Sequence, residues 1–582
     1  MGKKRWFSVL YSRTMLIAIS CAVLLLLMAG CSIKTITAPA QGLEKAALER
    51  QTTEGVVIGE ENIVTNTIVW KAIPYAKPPV GALRWKAPQA PEKRSQPLKT
   101  DKYCEICPQY TPPTPWIIAG NEDCLYLNIW SPKNTTGKLP VFFWIHGGGN
   151  SIQSPLLSLL DGGILANKGN MIVVTLNYRL GPMGFFNHPA LKSGDAASDS
   201  GNFAILDLIA ALKWVQANIK NFGGDAGNVT IAGESVGGQN VFSLISSPLA
   251  KGLFHRAISE SGIILPYSPE EGAAHINGKL AKMMMKDGKA SDAKDAATIM
   301  ASMSAKDVEA YMRSKTAQDF LEMYPEGKMT GMIQFPTAFS DGYVLPRDFY
   351  AALTSGNYNK VPIIIGSNKE EAKLFIRGFP PFVGWWNQDQ SLIKDPAKME
   401  FYELVAKYLS DGWKVMAVDH PAAILKNNSD QPMIFTYQFL WGAGGVKNNV
   451  IDPPLNIILG ACHMMEIDFV FGTEITPAVA KVFNEKNRPG RVALSNAMID
   501  YWSQFARTGN PNRDKSGLPI WSPWSNIPNS PKSILLDADL EKVKITMTEK
   551  ELKQEDIEAA LKAEPRQKEI QPAWNMWPFR RR

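Results

Sequence analysis

Gly233-Glu234-Ser235-Val236-Gly237 is a Gly-x-Ser-x-Gly pattern. The residues before it, Asn228 to Ala232, are apolar and β-branched and predict a buried strand; those after it, Gln239 to Ser247, predict a helix. Strand, sharp turn and helix form the setting in which a serine hydroxyl is held above a sheet as a nucleophile. Such a turn strains the serine backbone, and glycines on both sides remove Cβ atoms that would clash. A glycine-rich β–α turn with a passing serine would look the same over five residues. The rest of the machinery therefore has to be found along the chain.

A nucleophilic serine needs a base, the base needs an orienting acid, and the developing oxyanion needs donors. On this kind of elbow the chain order is serine, acid, histidine. Of six histidines, two follow the middle of the chain, His420 and His463. Val418-Asp419-His420-Pro421 is polar and reads as a surface loop. His463 lies among Gly460, Ala461, Cys462 and Met464, small and apolar neighbours that suit a loop facing a cleft; a buried structural histidine is the alternative. The best strand between Ser235 and His463 is Val361 to Gly366, and Asn368-Lys369-Glu370-Glu371 follows it. One of the two glutamates is the natural orienter, although a Lys-Glu-Glu run is more often a solvated turn. Asp341 is a rival, but Asp341-Gly342 reads as a turn. His146-Gly147-Gly148-Gly149 supplies donors: the N–H groups of Gly148 and Gly149 can converge on one oxygen, with Val236 N–H as a third. His146 itself reads as a brace for that loop.

These pieces need a sheet to hold them. Glu122 to Trp130, Pro140 to Ile145 and Met171 to Arg179 read as strands, the second almost wholly apolar and so covered on both faces. Residues 203–220 have helical spacing. Strands alternating with helices predict an α/β sheet. Residues 267–330, rich in Met, Lys, Asp and Ala, predict a helical insertion that caps it. The chain has 582 residues and a net charge of +7, but Lys3, Lys4, Arg5, Arg13 and Arg580 to Arg582 account for all of it. A neutral body gives no electrostatic case for a nucleic-acid partner.

Residues 1–31 read as a targeting segment: a basic start, an apolar run from Met15 to Ala29, then Gly30-Cys31. Leu27-Met28-Ala29-Gly30-Cys31 resembles a bacterial lipobox, which would make Cys31 the lipidated N-terminus, with Met28 where leucine is usual. An uncleaved signal anchor is the alternative. Ser32 after the cysteine resembles lipoproteins sent to an outer membrane. Either way the body lies outside the cytoplasm, in the cell envelope, attached to a membrane through its N-terminus. Residues 32–54 then read as a polar tether, 55–545 as one domain, and 546–582 as a charged tail.

From about Gly55 to about Leu536 the chain resembles the type-B carboxylesterase family, the group of cholinesterases, liver-type carboxylesterases and bacterial para-nitrobenzyl esterases. The landmarks come in family order: Ala72 to Pro79, Glu122 to Asn128, His146 to Gly149, Asn177 to Gly181, Phe222 to Asp225, Gly233 to Gly238, Phe254 to Gly262, Gly366 to Glu371, Gly460 to Gly472, and Phe505 to Pro511. The resemblance implies an α/β-hydrolase fold, a large and mostly parallel sheet flanked by helices with helical cap insertions. It implies serine carboxylesterase activity on a small-molecule ester through an acyl-enzyme intermediate. The triad would be Ser235, Glu371 and His463, the acid falling five residues after the strand-ending glycine; no cofactor or metal is implied. It further implies a Cys107–Cys124 disulfide, with Cys104 and Cys462 left as thiols, salt bridges Arg84–Glu122 and Arg179–Asp207, and a polar network of Glu234, Ser261 and Glu466 behind the triad. Glu370 then falls to solvent or a neighbouring lysine.

The chain departs from the family at Asn150, Val236, Glu370 (for the usual Asp), Ala372 and Met464. None of these removes a catalytic atom, but Asn150 and Met464 alter the pocket walls. A catalytically dead adhesion member of the fold would typically lack the serine. A lipase working at an interface would use the 267–330 segment as a lid.

Overall fold

A computed structural model describes residues 45–134, 137–388, 390–448, 450–473 and 481–576. Cys31 and the rest of the targeting segment lie outside the described residues. Among them, eleven strands form one sheet. In chain order these are β1 (Glu60–Asn62), β2 (Thr67–Pro74), β3 (Tyr126–Pro132), β4 (Leu139–Ile145), β5 (Ile172–Leu176), β6 (Gly224–Glu234), β7 (Arg256–Glu260), β8 (Ile363–Asn368), β9 (Ile434–Phe439), β10 (Ser533–Ala538) and β11 (Val543–Thr548). Across the sheet the order is β1-β2-β3-β5-β4-β6-β7-β8-β9-β10-β11. From β5 through β10 every pair is parallel; β1 to β3 and β11 close the edges antiparallel. This is the α/β-hydrolase architecture.

The inner strands are apolar on both faces because both faces are covered. Alternation along a strand sends Val141, Phe143 and Ile145 of β4 into one core and Phe142 and Trp144 into the other. The first core is closed by α1 (Phe203–Asn218) and α2 (Val236–Ser246). Residues 269–330 hold five short helices, including α3 (Pro269–Lys286), α4 (Ala293–Ser302), α5 (Ala305–Arg313) and α6 (Ala317–Glu322). Their apolar sides pack together with Trp85, Phe186 and Phe203 as a third core over the sheet. The helix α7 (Pro396–Lys414) lies behind β8, and α8 (His420–Lys426) follows it. The second core is closed by α9 (Arg488–Thr508), whose Leu494, Met498, Trp502 and Phe505 are buried there.

Two chain ends read from sequence as polar are folded. Glu49–Thr52, assigned above to the tether, pairs antiparallel with Gly55–Ile58, and Trp70 Nε1 donates to Leu48 O at 2.9 Å. The segment read as a charged tail contributes half of β11 and two helices, α10 (Gln554–Ala563) and α11 (Gln567–Met576). Their buried Ile557, Leu561, Ile570 and Trp574 share a core with Phe401, Val405 and Leu409 of α7. Charge on the outer faces hid the apolar stripe underneath.

His420 is also not on a loop. Val415–Asp419 is a single π-helical turn that joins α7 to α8, and its Val418 and Asp419 are buried. The Asp419 carboxylate is held by Lys414 Nζ at 2.5 and 2.6 Å and accepts Leu552 N–H at 2.7 Å. The polar residues that suggested a surface loop form a buried ion pair instead. Pro421 falls in the first turn of α8, where its missing N–H costs little.

The packing of α10 gives a stability test. Leu561→Ala lowers unfolding stability by about 2–4 kcal/mol, whereas Lys562→Ala, one residue on and exposed, stays within about 0.5 kcal/mol. Denaturant melts of the two variants check this; equal midpoints would mean that α10 contributes nothing to the fold.

Candidate active site

The turn after β6 is built by the absence of side chains. Ser235 has φ 60° and ψ −125°, a strained conformation for a residue with a Cβ. A Cβ on Gly237 would lie 2.1 Å from Ile145 O, and one on Gly233 would lie 2.7 Å from the Gly237 carbonyl carbon. The helix α2 can thus begin directly at Val236, against the end of β4, with Ser235 projecting at the sheet's edge. Ser235 N–H donates to Glu260 O at 2.8 Å, which fixes the turn to β7.

The glycine loop follows β4. Gly148 and Gly149 have φ +89° and +65°, left-handed values that only glycine adopts freely. The N–H groups of Gly148, Gly149 and Val236 make no hydrogen bond among the described residues, the condition for receiving a substrate oxygen. The loop is held from outside: Ser151 Oγ donates to Gly148 O at 3.1 Å, and Asn240 Nδ2 donates to Asn150 Oδ1 at 2.9 Å. His146 is buried, stacks on Tyr178 with ring centres 4.5 Å apart, and has its Nδ1 3.0 Å from Gly147 O. Burial pushes its pKa down to about 4, so it is a neutral brace.

His463 comes from a loop between short helices. Its Nδ1–H donates to Glu371 Oε2 at 2.6 Å. The other Glu371 oxygen accepts Ser261 Oγ–H at 2.5 Å and Asn368 N–H at 2.7 Å. Of the two adjacent glutamates, Glu371 is the one that meets the imidazole. Phe375 and Trp413 flank the ring with centres 5.2 and 4.8 Å away. On the far side, His463 Nε2 lies 3.1 Å from Glu234 Oε1, a contact of distance without hydrogen-bond alignment. No hydrogen bond joins His463 to Ser235 Oγ in this resting arrangement; such bonds commonly tighten only when substrate is bound. Asp341 is occupied in a turn, accepting the N–H groups of Tyr343, Val344 and Leu345.

Glu234 and Glu466 are both buried, Glu234 beside His463 Nε2. Glu466 accepts Asn368 Nδ2–H, and Ser261 bonds to Glu371 rather than to either of them. Sequence reasoning did not single out Glu260, Asn368 or Trp413 here. Asn368 could have been suspected from its place at the strand end. Trp413 arrives from a helix with no local signal, and it donates to Ser261 O at 3.0 Å.

Crowding four carboxylates into one patch has an electrostatic cost. Burial, then the charges of Glu371 and Glu260, holds the Glu234 carboxyl well above its ordinary range. Burial, then Glu234, Glu260 and Glu371, does the same for Glu466. Burial pushes Glu260 up to about 8, opposed by the Trp502 Nε1–H bond at 2.8 Å. The unfolded chain ionises Glu260 near 4.5, while the folded chain keeps its proton much longer. Protonation therefore favours the fold, and that contribution is lost as pH climbs from about 4.5 to about 8. Glu260→Gln keeps the acceptor for Trp502 and removes the titration. The expected result is a smaller fall in Tm between pH 5.5 and pH 8.5 than in the natural chain, read by scanning calorimetry. Parallel curves would show that Glu260 does not carry the effect.

The remaining implied contacts are present: a Cys107–Cys124 disulfide, Arg84 forked on Glu122, and Arg179 bidentate on buried Asp207 at 2.7 and 2.8 Å. Cys104 and Cys462 are thiols.

Comparison with known proteins agrees with this geometry. The carboxylesterase family matches residues 46–414 and 389–558. The para-nitrobenzyl esterase of Bacillus subtilis is 33% identical over 473 residues, spanning 78% of this chain and 88% of the relative. Carboxylesterase 1C of Rattus norvegicus is 33% identical over 521 residues, 81% of this chain and 86% of the relative. A solved carboxylesterase of Geobacillus stearothermophilus superposes with a TM-score of 0.67 at 30% identity, covering 88% of this chain and 99% of that one. A solved PNB esterase gives 0.64 at 30% identity, covering 86% and 97%. With the elbow, the glycine loop and the ordered landmarks on one α/β-hydrolase sheet, the chain belongs to the carboxylesterase family and is a carboxylic ester hydrolase.

Proposed function

We propose that Ser235, Glu371 and His463 carry the ester hydrolysis as a triad. The carrying observation is the Glu371–His463 contact of 2.6 Å beside the elbow that strains Ser235. Ser235 Oγ attacks the ester carbonyl carbon while its proton passes to His463 Nε2. Glu371 holds the proton on Nδ1, fixes the tautomer and stabilises the imidazolium. The N–H groups of Gly148, Gly149 and Val236 receive the oxyanion. The tetrahedral intermediate collapses as His463 returns the proton to the leaving alcohol oxygen, leaving an acyl-Ser235. Water, deprotonated by the same imidazole, then attacks the acyl carbon, and Ser235 recovers its proton as the acid leaves.

Glu234 lies beside Nε2 and would carry a proton more readily than an ordinary glutamate. That lessens the competition between its charge and Ser235 for the imidazole.

The substrate class is small carboxylic esters rather than lipid aggregates. Among the described cap residues 269–330, Met285 is the one exposed large hydrophobic side chain; the others face the cap's own core. A lid for an interface would turn its apolar face outward on opening, and here that face is committed to internal packing.

The site of action is the cell envelope, with the chain held by lipid on Cys31. The apolar run ending in Gly30-Cys31 supports this.

Ser235→Ala leaves a folded chain without acyl transfer to para-nitrophenyl acetate, and Glu371→Gln lowers kcat/KM on the same ester by about 10⁴-fold. Turnover near that of the natural chain in either variant would remove that residue from the mechanism. Cys31→Ala moves the esterase activity from the membrane fraction to the soluble fraction at unchanged specific activity. Full retention with membranes would favour an uncleaved anchor.

A further inference from the structure

We infer that Glu370 is a positioning residue for His463, acting through a buried charge clamp that fixes the histidine loop to the acid turn. This rests on the reading of His463 as the base. Of the two settings expected from sequence, solvent or a neighbouring lysine, the glutamate takes the second, and its side chain is only 13% exposed. Glu370 and Ala461 are joined twice: Glu370 N–H donates to Ala461 O at 3.0 Å, and Ala461 N–H donates to Glu370 Oε2 at 3.0 Å. The other oxygen accepts Gly444 N–H at 3.2 Å. It also meets Lys373 Nζ at 3.0 Å, and that ammonium reaches Glu403 at 2.8 Å. The Lys373 side chain is fully buried, so its charge is compensated by these two carboxylates and by nothing from water.

Gly460 makes the approach possible. It has φ +52°, and a Cβ there would lie 1.8 Å from Glu370 Oε2. Any other residue at 460 would push the carboxylate off Ala461. The loop from Leu459 to Glu466 has no regular structure, and Met464 is held at φ +68°. Such a loop needs fasteners near the residue whose place matters. Ala461 is two positions before His463, and Glu370 adjoins the residue that receives Nδ1–H. The clamp therefore sets the spacing of acid and base without touching either ring.

A tether of this kind acts on turnover. A misplacement of about 1 Å at a reacting group can cost about 10²-fold. Three variants break the clamp by different means: Glu370→Gln removes the charge, Lys373→Met removes its partner, and Gly460→Ala obstructs the approach. Each is assayed on para-nitrophenyl acetate, with active sites counted by burst titration with an organophosphate. The expected result is a fall in kcat per titrated site of about tenfold or more with KM within about twofold. The acid limb of the kcat/KM profile should also move to lower pH, because a looser Glu371 contact stabilises the imidazolium less. Unchanged kcat per titrated site and an unchanged limb overturn the proposal, whatever happens to Tm or to the fraction of active sites. If Lys373→Met does not fold, Glu370→Gln and Gly460→Ala decide alone. His463→Ala runs beside them: if it retains turnover, the base assignment itself fails, whereas an inactive His463→Ala beside normal clamp variants removes only the clamp.

Discussion

The whole site depends on one contact between bare backbones. Gly237 lies against Ile145 O with no space for a Cβ, and this lets α2 start where β6 ends. The elbow and the glycine loop are arranged around that contact. It strains Ser235, it leaves Val236 N–H without an intrahelical partner, and it brings the end of β4, with its glycine loop, to the same spot. Widening it by one methyl group would move Ser235 and Val236 N–H away from the glycine loop. The sheet's parallel register from β5 through β10 serves to hold this junction and to place the ends of β7 and β8 beside it.

Those strand ends carry an unusual load. Glu234, Glu260, Glu371 and Glu466 all come within mutual influence, and with little water to screen them they share fewer than four charges. One cation in reach is the histidine itself once protonated. In the mechanism proposed above, the Glu371 carboxylate beside His463 would favour the imidazolium that forms during attack, at the cost of this crowding in the resting site. The aromatic flank of Phe375 and Trp413 keeps that imbalance from being relieved by solvent.

Local pattern was enough to nominate Ser235, the glycine loop and His463, because each nomination depends on residue types within a few positions. It left Glu370 and Glu371 open, since adjacent carboxylates differ only in what they meet far along the chain. Family spacing chose Glu371, and the contact to His463 agrees. Burial of Glu370 was invisible for the same reason: it depends on Gly460 and Ala461, about ninety positions away. His420 was misread because Asp419 finds Lys414 in a helical register that includes a π turn. At the C-terminus the spacing of Ile557, Leu561, Ile570 and Trp574 was present in the sequence, but high charge density outweighed it. In each case the missing information was a partner, not a propensity.

Cys104 stands three residues before a disulfide and could in principle attack it. Thiol–disulfide exchange proceeds through the thiolate. Burial pushes the Cys104 thiol up to about 12, and Asn177 Nδ2–H bonds to its sulfur at 3.2 Å. At neutral pH such a thiol stays protonated and is a poor nucleophile. The folded chain thus carries a third cysteine beside its cross-link without exposing that link to reshuffling. The protection is conferred by folding itself, since it comes from the burial and the Asn177 bond that the folded chain provides. The security of the cross-link is thus a property of the folded state, resting on the docking of Asn177, the residue that follows β5, against the third cysteine.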